Sequence, residues 1–438
     1  MSPRWQDLGL DIQKKTTSPT GGAGMTRDEL LRESVADKFL RYVRIDTQAD
    51  ESSKSSPSTP GQLVLGCLIH GELRAMGLND ARLEPTGLVY AGLPANRHQA
   101  PAVGFLAHLD TVHGVPGCGV KPILHRGYNG ASIQLPNGST LSPEEFPLLR
   151  KLLGHDLITS DGTTLLGADD KAGLAEIMTM IGCMLREPDR PHGLVRVAFT
   201  PDEEIGRGVD HFDLAGFQAI CAYTADGGEA GEFEEENFNA ENLRITIEGR
   251  SSHTGTARGC MINAVGAAAE LIAGLPSGQK PETTDGREGF LHVDGIEGGV
   301  ERVTMRWLLR DFTEDGLEEK RRLVRAALRL LRQKYPGLRT RLQVTGGYAN
   351  MKSGLSADPR VSGHALTAIT AAGLTPLVRP IRGGTDGARL TRMGLPTPNL
   401  FTGGLNAHSR YELVSVQWME KAVEVLLNLV GLWAEESQ

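Results

Sequence analysis

Cysteine is scarce in this sequence, and the few cysteines do not form a metal-binding pattern. The 438-residue chain has five of them, and no two are spaced as CxxC. The absence of this spacing excludes the usual cysteine-based zinc sites. Scattered thiols are typical of a reducing compartment, so we expect free cysteines and a cytoplasmic location. The cysteines are Cys67, Cys118, Cys183, Cys221 and Cys260.

The sequence also lacks long apolar runs and an excess of positive charge. No apolar run reaches the roughly 18 residues that a membrane span needs, and the N-terminus has no apolar segment of the kind found in secretory signals. The formal net charge is -8, whereas a nucleic-acid surface needs clustered lysine and arginine. We therefore expect neither a membrane nor a nucleic-acid partner. Residues 1–25 are polar, and we expect them to form a disordered extension.

What the sequence does contain is an alternation of buried strands and helices. The segments PAVGFLA (101–107), GLVRVAFTPDEE (193–204) and FQAICAYTADGG (217–228) are apolar strands, and two of them run into acidic residues. A helix, DKAGLAEIMTMIGCML, lies between the first two. This pattern predicts an α/β domain with a mixed, largely parallel sheet, which binds ligands at the carboxyl ends of its strands.

Two other stretches of this part carry predictions of their own. An apolar stripe predicts a helix over 26–48, beginning with a capping box formed by Thr26 and Glu29. The Gly- and Pro-rich stretch at about 113–156 predicts a long loop, and loops of this length are usually functional.

The middle of the chain follows a different order of elements. Residues 239–347 predict β-α-β-β-α-β, the ferredoxin-like α+β arrangement with helices on one face of a four-stranded sheet. The α/β pattern returns after this segment. We therefore predict an α/β domain formed by 26–238 and 348–438, with 239–347 inserted as a second domain.

Histidines and carboxylates follow several of the predicted strands. Each has a structural interpretation when taken alone: Asp169 could cap a helix, the glutamates could be a solvated loop, and His408 could be an ordinary surface histidine. Together, two histidines and several carboxylates form a ligand set suited to zinc, manganese or cobalt. A pair of ions needs a carboxylate between them, and Asp169 could bridge such a pair. The set is His108, Asp110, Asp169, Asp170, Glu203, Glu204, Asp226 and His408.

Spacing suggests roles for two adjacent pairs. His108 and Asp110 are two residues apart, so their side chains point to the same face of an extended strand. Asp110 can then accept the second ring N–H of His108 and fix its orientation. Glu203 and Glu204 are neighbours whose side chains diverge, so that one can bind metal while the other acts as a general base.

Seven short motifs in this order resemble the M20 family of zinc peptidases, and within it the branch of tripeptide aminopeptidases. The resemblance runs from about residue 28 to the C-terminus. The motifs are HLDT, LLGADDKAG, FTPDEEIG, TADGG, SSHTGTA, IRGGTDGA and NLFTGG with a following histidine.

The resemblance implies two zinc ions per subunit and a role for each ligand. His108 and Asp226 would bind one ion, Glu204 and His408 the other, and Asp169 would bridge them. Glu203 would be the general base, Asp110 would orient His108, and the Asp169–Asp170 peptide bond would be cis.

The resemblance also implies substrate contacts in the second half of the chain. His253 would stabilise the oxyanion, commonly in the active site of a partner subunit, which implies a homodimer. The α/β domain, 26–238 and 348–438, would be the catalytic domain, and 239–347 a lid or dimerisation domain. Asn263 and Arg310 match substrate-contacting positions, although Arg310 could instead form an ion pair with Asp311. Arg382 lies in a Gly-rich turn before a helix and could bind the carboxylate of a peptide.

We therefore expect a di-zinc aminopeptidase that removes the N-terminal residue of tripeptides. The free amine of the substrate would need an acidic partner, and Asp169, Asp226 or a residue of 229–236 could provide it. The first alternative is another M20-type hydrolase: a dipeptidase, a carboxypeptidase or an N-acyl amino-acid deacylase. The remote alternative is a non-catalytic peptide-binding protein.

Overall fold

The computed structural model describes residues 25–436, and these residues form two compact units. The first unit extends to Phe233 and also contains Arg360–Leu377 and the chain from Asn399 onwards. The second unit contains Glu234–Pro359 and Val378–Pro398. The predicted extension, 1–25, lies outside the described residues except for Met25.

The helices and strands follow one another in the order that the α/β and α+β patterns predict. The helices are α1 (Arg27–Arg32), α2 (Val35–Tyr42), α3 (Pro60–Met76), α4 (Ala168–Arg186), α5 (Leu214–Phe217), α6 (Ala264–Ala273), α7 (Glu314–Lys334), α8 (Lys352–Leu355), α9 (Pro359–Ala371), α10 (Asp386–Met393) and α11 (Val416–Ala434). The strands are β1 (Arg82–Leu83), β2 (Val89–Leu93), β3 (Val103–His108), β4 (Ile123–His125), β5 (Ile133–Gln134), β6 (Thr140–Leu141), β7 (Leu157–Thr159), β8 (Val195–Thr200), β9 (Cys221–Gly227), β10 (Glu232–Glu234), β11 (Asn239–Glu248), β12 (Phe290–Gly298), β13 (Arg302–Asp311), β14 (Arg339–Tyr348), β15 (Leu377–Val378), β16 (Asn399–Phe401), β17 (Gly404–Leu405) and β18 (Leu413–Ser415).

An eight-stranded mixed sheet has the order β1-β2-β8-β3-β9-β16-β10-β15. The central strands β8, β3, β9 and β16 run parallel, so their carboxyl ends lie at one edge. All six residues of β3 are buried, which explains its continuous apolar sequence. This sheet confirms the predicted mixed, largely parallel α/β architecture.

The stretch predicted as a long loop contributes one strand to a second, smaller sheet. Strand β4 lies in this stretch and pairs with β7, which follows directly after it, and β7 pairs with β18 near the end of the chain, in the order β17-β18-β7-β4. The strands are only two or three residues long. The sequence LIT predicts a strand at β7, but β4 is too short to show an apolar alternation.

The helix predicted over 26–48 is also different in the structure. Thr26 and Glu29 form the predicted capping box, but the helix ends at Arg32. Ser34 then caps a second helix by accepting a hydrogen bond from Asp37 N. An apolar stripe does not reveal this break, because α1 and α2 both bury their apolar residues.

The second unit contains an antiparallel sheet of order β12-β13-β11-β14. Its elements follow the predicted β-α-β-β-α-β order. Helices α6 and α7 share one apolar core with this sheet, around Ile245 and Trp307, which are both fully buried. The unit also contains 348–359 and 378–398, so the boundaries 239–347 for the inserted domain stay a prediction. Among the described residues, no helix has both the length and the apolar content that crossing a membrane requires.

Candidate metal centre

Five side chains from separate elements of the first unit meet at the carboxyl edge of its large sheet. His108 ends β3, and Asp226 lies near the end of β9. Asp169 lies in the first turn of α4, where the Asp169–Asp170 peptide bond is cis, as expected. Glu204 lies in a short 3-10 turn after β8, and His408 lies in the loop between β17 and β18.

Asp169 occupies the middle of this cluster and faces both histidines. Its Oδ1 is 2.9 Å from Nε2 of His108, and its Oδ2 is 3.0 Å from Nε2 of His408. Nε2 of His108 is also 3.6 Å from Asp226 Oδ1, and Nε2 of His408 is 2.9 Å from Glu204 Oε1. The two carboxylate oxygens of Asp169 thus serve two different histidine–carboxylate pairs, as a bridging ligand would.

Potential ligand atoms fall into two overlapping groups in which all atoms lie within 4.8 Å of one another. One group contains His108, Asp170 and Asp226, and the other contains His108, Asp169 and Glu204. Asp170 belongs to the candidate set, but the resemblance gave it no metal-binding role. Its Oδ2 accepts the backbone N–H of His108 at 2.9 Å, and its Oδ1 accepts that of Gly173 at 3.2 Å.

The pKa values of Glu204 and Asp226 in this cluster are raised, the effect of burying several carboxylates close together. Burial and the nearby Asp169 raise the pKa of Glu204 to about 7. Burial also raises the pKa of Asp226. Hydrogen bonds to Asp169 and Glu204 raise the pKa of His408 to about 11. Buried carboxylates of this kind either take up protons or face a cation, and bound divalent metal ions would supply that charge.

Asp110 holds the turn that carries the two glutamates. Its carboxylate accepts the backbone N–H groups of Glu203 at 2.9 Å and Glu204 at 3.1 Å. The ring Nδ1 of His108 is 3.1 Å from the backbone oxygen of Asp110 and 3.5 Å from its Oδ1. The backbone oxygen is therefore the closer partner of the ring, and the carboxylate fixes the position of the glutamate turn.

Glu412 was not predicted as a site residue, yet it supports the loop before Asp169. This buried side chain accepts backbone N–H groups from Leu166 and Gly167 at 2.7 Å and from Asp169 at 3.0 Å. Burial raises the pKa of Glu412 to about 7, although the three backbone donors act in the opposite direction. The only signal in the sequence is an acidic residue four positions after His408.

A glycine allows α4 to approach the end of β9 closely. A Cβ at Gly173 would lie 2.0 Å from the backbone oxygen of Ala225 and 2.6 Å from Asp170 Oδ1. A larger residue would therefore push the helix away from the strand that carries Asp226. The glycine of the ADDKAG motif has a packing role beside the candidate ligands.

His253 and Asn263 lie in the second unit and are both exposed. Nδ1 of His253 accepts the backbone N–H of Gly255 at 3.1 Å. Oδ1 of Asn263 caps α6 by accepting the N–H groups of Val265 at 2.9 Å and Gly266 at 3.3 Å. Within residues 25–436, Nε2 of His253 and the amide nitrogen of Asn263 have no hydrogen-bond partner, so both polar groups are available.

The two predicted substrate-binding arginines also lie in the second unit, and both already have partners. Arg310 is buried, donates to Asn242 Oδ1 at 3.1 Å and lies 5.2 Å from the centre of the Tyr348 ring. It does not pair with Asp311, which binds Lys320 at 2.5 Å. The guanidinium of Arg382 donates to backbone oxygens of the 284–288 turn and packs over two phenylalanine rings.

The chain is similar in sequence to known peptidases along most of its length. Residues 161–431 match the sequence model of peptidase family M20/M25/M40. Peptidase T from Desulfitobacterium hafniense (strain Y51) is 48% identical over 406 residues, which are 92% of this chain and 99% of the relative. Peptidase T from Clostridium perfringens (strain 13 / Type A) is 45% identical over 403 residues, again 92% of this chain and 99% of the relative.

The fold is also similar to that of a solved structure. The crystal structure of aminopeptidase PepT from Bacillus cereus ATCC 10987 superposes with a TM-score of 0.71 at 24% sequence identity. The superposition covers 94% of this chain and 100% of the other. At this identity, the likeness shows a common fold.

Proposed function

The chain belongs to peptidase family M20/M25/M40 and is a metallopeptidase, and on that premise we propose that it is a di-zinc aminopeptidase acting on tripeptides in the cytoplasm. The observation that carries the proposal is the position of Asp169, whose two oxygens face two different histidine–carboxylate pairs. The substrate class rests on the name shared by relatives that are 45–48% identical over nearly their whole length.

The donor set fits two ions of a metal that accepts nitrogen and oxygen ligands. His108 and Asp226 would hold one ion, Glu204 and His408 the other, and Asp169 would bridge them. Two zinc ions, or manganese or cobalt in their place, supply Lewis acidity for the scissile carbonyl and lower the pKa of the attacking water. The raised pKa values of Glu204 and Asp226 support a cation at both positions.

Glu203 is the general base of the proposed reaction. It takes a proton from the attacking water and returns that proton to the leaving amine. The hydrogen bonds from the backbone of Glu203 and Glu204 to Asp110 fix both glutamates in one turn. The side chain of Glu204 can then face His408, while that of Glu203 accepts the proton of the attacking water.

A tripeptide aminopeptidase must also bind the free amine of its substrate. Two acids of the 229–236 stretch already have cationic partners, since Glu229 pairs with Lys151 and Glu236 pairs with Arg287 and Lys352. The partner of the amine would then be Asp169, Asp226 or one of the other acids of this stretch.

We further propose a homodimer in which His253 serves the active site of the other subunit. The exposed ring and its available Nε2 support this role. His253→Ala and Glu203→Ala should each be inactive as pure proteins, and mixing them should restore part of the activity through mixed dimers. Failure to recover activity, with subunit exchange demonstrated by mass spectrometry, would contradict a shared site.

Hydrolysis of Ala-Ala-Ala, compared with that of N-acetyl-Ala-Ala-Ala, tests the substrate class. We expect free alanine and Ala-Ala from the unblocked peptide alone, because the acetyl group removes the charged amine. Equal or faster turnover of the acetylated peptide would refute the aminopeptidase proposal and favour a deacylase or carboxypeptidase. The products distinguish these two, since a deacylase releases acetate and a carboxypeptidase releases the C-terminal alanine.

A further inference from the structure

A strongly basic segment lies within this acidic chain. Residues 320–350 contain no aspartate or glutamate, while the formal net charge of the whole chain is -8. The segment covers most of α7 and all of β14, both in the second unit. Its basic residues are Lys320, Arg321, Arg322, Arg325, Arg329, Arg332, Lys334, Arg339 and Arg341.

Four of these arginines share one face of α7 and line a groove. Arg322, Arg325, Arg329 and Arg332 are separated by three, four and three residues, the spacing of neighbours on a helix surface. They are exposed and line a groove of about 490 Å³ beside β14. The remaining lining residues are Leu328, Thr340 and Leu342, so the groove also has an apolar part.

Most of the other basic side chains of the segment are neutralised by carboxylates. Arg321 binds both oxygens of Glu241, Lys320 binds Asp311, and Lys334 binds Glu270. In the groove itself, Arg322 is 3.3 Å from Glu318.

The other three arginines of the groove lack such partners. Among the described residues, no acidic side chain forms an ion pair with Arg325, Arg329 or Arg332. Arg325 and Arg329 are four residues apart and Arg332 follows three residues later, so these like charges destabilise the helix unless an anion lies between them. The groove therefore carries positive charge that an external ligand can neutralise.

We propose that this groove binds a compact polyphosphate anion, either free triphosphate or the phosphate chain of a nucleotide. Guanidinium groups bind phosphate oxygens through paired hydrogen bonds. Ten residues of helix separate Arg322 from Arg332, a length of about 15 Å, which accommodates several consecutive phosphates. The volume of the groove lies within the range of small-molecule sites.

A second copy of the chain is a poor occupant of this groove. A two-fold symmetric contact places the same patch of both subunits against each other, and here arginines would face arginines. An acidic peptide is the other possible ligand, but each of its carboxylates carries a single charge on a flexible backbone. Triphosphate concentrates several charges within the length of the arginine row.

Calorimetric titration of the full-length, metal-loaded protein with inorganic triphosphate and with ATP tests the proposal. We expect Arg325→Gln/Arg329→Gln to weaken binding at least tenfold. The control is Arg302→Gln/Arg306→Gln, which removes the same charge from two exposed arginines of β13 outside the groove. The control should change the Kd by less than twofold, and thermal melting should show that both variants fold.

Further comparisons identify the source and the location of the ligand. Tighter binding of ATP than of triphosphate would indicate a nucleotide, with its base against Leu328 and Leu342. Because polyphosphates also bind metal ions, His108→Ala should keep the affinity if the ligand lies in the groove. The proposal is refuted if the groove variant binds normally, if the control loses as much affinity, if His108→Ala abolishes binding, or if poly-glutamate binds more tightly than triphosphate.

Discussion

Replacing Glu412 should loosen the loop that carries the candidate bridging ligand. The carboxylate is buried and accepts three backbone N–H groups, with Oε2 serving Leu166 and Gly167 and Oε1 serving Asp169. Glu412→Ala removes all three acceptors. Glu412→Gln keeps the size of the side chain and one oxygen. If that oxygen faces the N–H groups of Leu166 and Gly167, only the hydrogen bond from Asp169 is lost.

The magnitude follows from the number of donors that lose their acceptor. A buried N–H without a partner costs about 1–3 kcal/mol, so three such groups give about 3–9 kcal/mol. Water entering the vacated space would satisfy part of this loss, and removing the carboxylate also removes its cost of burial. We therefore expect Glu412→Ala to lower the free energy of unfolding by about 3 kcal/mol, the lower end of that range. Glu412→Gln should cost about 1 kcal/mol, because a single donor is affected.

Urea denaturation of the zinc-depleted protein measures these changes without a contribution from metal binding. Glu420→Ala is the matched control, because this exposed glutamate of α11 should change the free energy of unfolding by less than about 0.5 kcal/mol. A second readout is the kcat for Ala-Ala-Ala after zinc has been restored. This kcat should be highest in the wild type, lower in Glu412→Gln and lowest in Glu412→Ala. Equal costs for the two variants, or a cost below about 1 kcal/mol for Glu412→Ala, would refute the supporting role of this carboxylate.

Three other predictions concern the base, the pH dependence of stability and a substrate contact. Glu203→Ala should retain zinc in metal analysis but lower kcat by about 10²–10⁴-fold, and a near-native kcat would contradict its role. Burial lowers the pKa of Lys38 below 10.5 in the folded protein, so the Lys38 amine binds its proton more tightly in the unfolded chain than in the folded one. The free energy of unfolding should therefore rise with pH just below 10.5, and it should rise less steeply in Lys38→Met. Urea titrations that give both proteins the same dependence of this free energy on pH would argue against the prediction. Asn263→Asp should keep the helix cap, whereas Asn263→Ala should lower the free energy of unfolding by about 1 kcal/mol. Both variants should raise the KM if the amide nitrogen binds substrate. A raised KM in Asn263→Ala alone would indicate that Asn263 only caps the helix.

The fold was predictable where the elements are long. The β-α-β-β-α-β order in the second unit follows from clear periodicities, since β11 alternates apolar and polar residues and α7 buries one stripe of leucine and valine. The continuous apolar sequence of β3 likewise predicts a strand buried on both faces. The small sheet built from β4 and β7 was not predictable, because it depends on pairing with β18, more than 250 residues further along the chain.

The site was predictable to the extent that residue type determines chemistry. Histidines and carboxylates at the ends of parallel strands point to a metal centre, and His108, Asp169 and His408 do lie together. Glu412 could not be found in this way, because its partners are backbone N–H groups and any residue supplies those. Asp202, which directly precedes the two glutamates, was missed as well. It accepts the backbone N–H of Ser58 and the side-chain N–H of Gln62, both at 2.8 Å.

Arg382 shows why substrate contacts are harder to predict than metal ligands. An arginine in a Gly-rich turn suggests a carboxylate clamp, but guanidinium N–H groups also bind backbone carbonyls. The terminal nitrogens of Arg382 already donate to Thr284, Gly286 and Glu288. A peptide carboxylate would have to compete with these bonds, and a substitution here would disturb both the 284–288 turn and any bound substrate. His253 and Asn263 keep an exposed polar group available, so substitutions at these two positions separate substrate binding from stability more cleanly.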